Sequence, residues 1–117
     1  MAAPHHSLDR LLDLDGEVLV ISEDGQYWVK FEVWQVLPTA GKPHGVAYSL
    51  TLHGPGNERL IGFDNAHPVP PTKWGEAQDH HHTGQKVKPY EYTDAAALLQ
   101  AFWMEVDAVL DEKGVNR

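Results

Sequence analysis

Residues 17–37 read EVLVISEDGQYWVKFEVWQVL. Two runs rich in β-branched and aromatic residues, 17–22 and 26–37, flank Asp24-Gly25, a pair suited to a tight turn, so the stretch predicts a β-hairpin. In the second run Tyr27, Val29, Phe31 and Val33 alternate with Trp28, Lys30, Glu32 and Trp34. Successive strand residues point to opposite faces, so this strand has one apolar face and one mixed face.

Outward from the hairpin, PTAGKPHG (38–45) is a turn-rich connection. In residues 46–53, Val46, Tyr48, Leu50 and Leu52 alternate with Ala47, Ser49, Thr51 and His53, which predicts a second period-two strand. GPGN (54–57) reverses the chain, and 58–63 returns extended. In a regular strand Arg59, Ile61 and Phe63 share a face, with Asp64 on the other face or in the exit turn, where Asp64 and Asn65 are suited to closing it. Residues 64–85 hold three prolines, two glycines and little periodicity, so they read as a long excursion. KVKPYEY (86–92) restores an edge strand, since Pro89 has no amide proton to give a central ladder. From 94 to 112, Ala95, Leu98, Leu99, Phe102, Val106, Val109 and Leu110 recur at helical spacing, with Thr93 or Asp94 as cap and Gly114 as stop. Residues 1–15 read as a tail with a short helix capped by Ser7. The expected fold is a single α+β domain over 1–117. Its twisted antiparallel meander of four to five strands spans 17–92, with the long C-terminal helix on one face.

A chain of 117 residues, 42% hydrophobic and 22% charged, has the composition of a soluble globular protein with one core. No apolar run approaches bilayer length, and MAAPHHSLDR lacks the pattern of a secretion signal. The expected location is cytoplasmic, without a membrane partner. The absence of cysteine leaves chemistry to His, Asp, Glu, Lys and Arg. A net charge of −8 opposes a broad nucleic-acid-binding surface, but it is unevenly spread. Residues 1–40 carry net −5 and 91–117 net −4, whereas 41–90 carry net +1 and six of the eight histidines. That middle segment is the least unfavourable place for a phosphate-bearing ligand. The sequence contains no glycine-rich nucleotide fingerprint and no HExxH helix.

Chemical interest centres on EAQDHHHTGQK (76–86). In an extended chain His80 and His82 project to one side, and Asp79 and His81 to the other. One imidazole can accept a proton near neutrality and a second, held protonated, can donate one, which suits metal-free RNA cleavage. Asp79 or Asp64 would orient an imidazole, with His67 a further candidate, and Arg59 or Lys86 would bind phosphate. The same groups allow another chemistry: His67, Asp79, His80 and His82 as ligands of zinc or another divalent transition metal. A third reading gives the histidines a structural or partner-contact role, with Trp28, Trp34 or Trp74 as aromatic anchors and no catalysis. Homodimerisation is left open.

RLIGFDNAH (59–67), followed by DHHH (79–82), KPYEYTD (88–94) and the amphipathic terminal helix, resembles the TumE family of small prokaryotic toxin–antitoxin proteins over roughly 17–110. The family's glycine-aromatic-Asp-Asn turn falls on Gly62, Phe63, Asp64 and Asn65, and its following histidine on His67. Its Asp-His-x-His element falls on Asp79, His80 and His82. His81 takes the middle place, where an arginine often stands in the family; the change removes a permanent phosphate-binding charge. The excursion at 68–78 is also longer and richer in proline than usual. The resemblance implies a cytoplasmic toxin acting on RNA, neutralised by a small helix-turn-helix antitoxin encoded beside it.

Overall fold

The structure, a computed structural model, describes residues 4–39, 44–65, 79–83 and 86–116. Helix α1 (Pro4–Asp13) leads into strands β1 (Val18–Val20), β2 (Trp28–Gln35), β3 (Val46–His53), β4 (Arg59–Asp64), β5 (His80–Thr83) and β6 (Lys86–Pro89), and helix α2 (Ala95–Glu112) follows. The strands form one antiparallel meander in the order β1-β2-β3-β4-β5-β6. Among the described residues no helix is long and apolar enough to cross a membrane.

The turns obey the local chemistry of their residues. At the first hairpin the Ser22 hydroxyl donates to Asp24, whose carboxylate also accepts from the Gln26 amide, and Gly25 takes φ +75. Between β3 and β4, Pro55–Asn57 forms a 3-10 turn with Gly56 at φ 74. Pairing of β2 with β3 sets Phe31 opposite Leu50, and β3 with β4 sets Leu50 opposite Phe63. The same alternation puts Val29, Val33, Tyr48, Leu52 and Ile61 on that apolar face, where all are buried.

Helix α2 covers this face with Ala95, Leu98, Phe102, Val106 and Leu110, all buried along one stripe. Phe102 meets Phe31 and Phe63 edge-on, at ring-centroid separations of 5.7 and 6.2 Å. The Asp94 carboxylate caps the helix by accepting from the Ala97 amide at 2.8 Å, a contact worth about 1 kcal/mol. Helix α1 adds Leu11 to the same core.

Three expectations need correction. The sheet has six strands rather than four or five, because residues 80–83 pair on both sides with β4 and β6. Their polar run has no apolar alternation, so the neighbouring strands reveal the element and the local pattern does not. Ser7 lies inside α1 instead of capping it; the helix already starts at Pro4, a residue whose fixed φ and missing amide proton suit a first turn. Finally, β4 is not regular at its start. Leu52 pairs with Ile61 but His53 pairs with Arg59, so Leu60 is an extra residue. Leu60 packs against the core, and Arg59 is carried to the opposite face from Ile61 and Phe63.

Candidate active site on the open face of the sheet

The sheet face turned away from the helices carries rows of polar side chains one pleat apart. Lys30, Thr51, Gly62 and His82 occupy one row across β2 to β5; Glu32, Ser49 and Asp64 occupy the next, with His80 at the β5 position. Trp28, His53 and the bulge-shifted Arg59 form the row on the other side.

Three expected residues converge here. Arg59 Nη2 lies 3.4 Å from His82 Nδ1, and His82 Nε2 lies 3.7 Å from Asp64 Oδ2. A guanidinium can only donate, so the first contact is a hydrogen bond when Nδ1 holds a lone pair. The proton of a neutral His82 then sits on Nε2 and faces the Asp64 carboxylate. The 3.7 Å separation is an ion-pair distance, longer by about 0.8 Å than a formed N–H···O bond. Both side chains are largely shielded from solvent, at 13% and 6% exposure. Gly62 forms the floor between His82, Thr51 and Arg59: a Cβ there would meet all three at 3.6–3.7 Å, which is ordinary contact.

The remaining candidates go elsewhere. Asp79 is on the helix side, where its carboxylate accepts from the Tyr48 hydroxyl at 2.6 Å. Burial, reinforced by that hydrogen bond to a carboxylate, pushes the Tyr48 phenol far above its ordinary value. Tyr92, stacked on Tyr48, is pushed up to about 12 by burial and by Asp94 and Asp79. His81 also faces the helices and lies flat on Phe63 at a centroid distance of 4.2 Å. Lys86 pairs with Thr83, and this register gives it the helix-side parity of Ile61, away from His82. His80 is set opposite Asp64 by the ladder, but its side chain lies outside the described residues, as do His67 and Trp74.

Asp79 and His82 therefore belong to opposite faces, which divides the four-residue ligand set considered for a metal. Among the described residues no three His, Asp or Glu side chains are grouped so as to hold a metal ion. The turn role considered for Asn65 takes a specific form. Its side-chain oxygen accepts from the Tyr48 amide at 2.9 Å and its NH2 donates to the Val46 carbonyl at 2.8 Å, which extends the β3–β4 ladder by one residue.

Sequence reasoning missed Thr51, which lies across Gly62 from His82, although the period-two pattern of β3 already placed it on the open face. It also missed Tyr48 as the anchor of Asp79. No local signal marks that pair, which spans 31 positions of chain.

A family model for the toxin TumE matches residues 9–110. The chain belongs to the TumE toxin family. The Gly62–His67 and Asp79–His82 elements of the resemblance both lie inside the TumE match, and the described parts of them are neighbours in the sheet. Gly62 pairs with His82, Phe63 with His81, and Asp64 with His80. The comparisons with curated proteins and with solved structures returned no match.

Proposed function

We propose that this TumE-family chain is the toxin of a toxin–antitoxin pair and cleaves RNA by metal-independent acid/base chemistry on the open face of the sheet. The observation that carries the reading is His82 held between Arg59 and Asp64. In the reaction, Nδ1 of His82 takes the proton of a ribose 2′-hydroxyl, and the 2′-oxygen attacks the adjacent phosphorus. The P–O5′ bond breaks to leave a 2′,3′-cyclic phosphate, and the 5′-oxygen takes a proton from His80. Asp64 orients the His82 ring and balances the imidazolium once it forms, while Arg59 turns from Nδ1 to the phosphate. His80 and His82 are two residues apart on one strand, so their backbones are separated by about 7 Å, which suits groups acting on either side of one phosphorus. The guanidinium beside Nδ1 also repels a divalent cation there, which supports an acid/base role over ligation.

The antitoxin is the partner this assignment implies, in the form of a small helix-turn-helix protein. Incubation of RNA with wild type and with H82A, H80A, D64N and R59A in excess EDTA tests the chemistry. Cleavage to 2′,3′-cyclic ends by the wild type, lost in H82A, is the expected result. A wild type that leaves RNA intact across the range in which imidazole titrates would sink the enzymatic reading.

A further inference from the structure

The sheet has two outer edges, and they are built differently. At β6 the edge residues are Lys86, Val87, Lys88 and Pro89. Two cations and a proline with no amide proton are the means by which proteins keep an exposed strand from pairing. At β1 no such protection exists. Val18, Leu19 and Val20 are 53, 40 and 63% exposed, and the strand carries no charge.

The backbone of β1 is also ready for a further strand. Phe31 donates to the Glu17 carbonyl and Ile21 donates to the Tyr27 carbonyl, so Glu17 and Ile21 spend their ladder groups on β2. Leu19, opposite Val29, falls in the same phase. Antiparallel pairing alternates, which turns the N–H and C=O groups of Val18 and Val20 out of the sheet. A four-group hydrogen-bonding template thus stands between two exposed valine side chains.

Charge selects what fits it. Residues 13–24 contain Asp13, Asp15, Glu17, Glu23 and Asp24 and no lysine or arginine. A second copy of β1 laid antiparallel on this edge would set carboxylates against carboxylates. We infer that the outer edge of β1 is a docking site for an extended strand of a partner protein in which apolar residues alternate with lysine or arginine. Backbone bonds at Val18 and Val20 hold that strand, its apolar side chains cover the valines, and its cations meet the flanking acids.

The test follows amide hydrogen exchange of the full chain by NMR, with a synthetic peptide of alternating valine and lysine and a counterpart of valine and glutamate. With the lysine peptide at about ten times its Kd, exchange at Val18 and Val20 slows about tenfold, and the glutamate peptide leaves it unchanged. V20P removes an outward N–H that β2 does not use and abolishes the protection, while amides of β2 and β3 keep their rates. The double variant V18K/V20K retains both N–H groups and loses the protection through repulsion of the basic peptide. The inference is overturned if the lysine peptide leaves Val18 and Val20 unprotected or if both peptides protect equally. It is also overturned if these amides become protected with rising protein concentration alone, which makes a second copy the occupant.

Discussion

The two faces of the sheet put the same residue type to different uses, and β5 shows this within two positions. His81 points to the helices, lies flat on Phe63, and contacts the Thr83 hydroxyl at 3.1 Å. His82 points to the open face and sits between a guanidinium and a carboxylate. A run of identical side chains is therefore divided by the pleat: His81 fills the edge of the core, and His82 lies on the open face, where the proposed reaction would use it. Asp79 and Asp64 divide in the same way, the first anchored by Tyr48 and the second set beside His82.

The strongest challenge to this contrast is His82→Ala. On the proposed function it lowers RNA cleavage by about 10²- to 10⁴-fold, the usual contribution of a positioned acid or base. Its thermal unfolding midpoint stays near that of the wild type. Equal loss of cleavage in H81A at unchanged stability would erase the distinction between the faces. On the helix side the largest effect belongs to Phe102→Ala. Removing the ring that meets both Phe31 and Phe63 costs about 3–5 kcal/mol, measured by urea unfolding. A loss under 1 kcal/mol, about what an exposed site would show, would mean that α2 does not close the core as described.

Asn65→Asp tests the boundary between the faces. It puts an oxygen where the side-chain NH2 now donates to the Val46 carbonyl, in a position 2% exposed. We expect a loss of about 1–3 kcal/mol, with faster amide exchange at Tyr48. Unchanged exchange there would show that the ladder ends at Asp64 without help from this side chain.

These effects also show what could be read before the structure. The apolar alternation of β2 and β3 and the helical stripe of α2 were legible because each repeats a period that only one geometry satisfies, and burial of that stripe holds the fold. Pro89 correctly marked β6 as an edge. The strand identity of 80–83 was not legible, since histidines carry no period-two apolar signal and the pairing partners lie elsewhere in the chain. In the candidate site, the parity of His82 against His81 was readable from strand geometry alone. The approach of Arg59 to His82 was not, because it depends on one extra residue, Leu60, that reverses the parity of β4 at its first position. The choice between Asp64 and Asp79 was equally hidden. It rests on which face each strand end presents, and thus on register.

The smallest expected effect concerns pH. Burial holds the His81 imidazole below its ordinary value, with Glu105 working against that and Lys88 adding to it. Above the unfolded value of about 6.5 the residue is neutral in both states and contributes no pH dependence. As pH falls through 6.5, the unfolded chain binds a proton that the folded chain resists, so stability declines; the decline levels off below the lowered folded value. His53, lowered by burial and by Arg59 and Lys30, adds to the same slope. His81→Phe keeps a flat ring on Phe63 but cannot titrate, so its unfolding midpoint should fall less steeply with acidification than that of the wild type. Thermal melts of both proteins across this window make the comparison. Parallel slopes would place His81 in solvent as the chain acidifies, and its packing on Phe63 would then leave its protonation untouched.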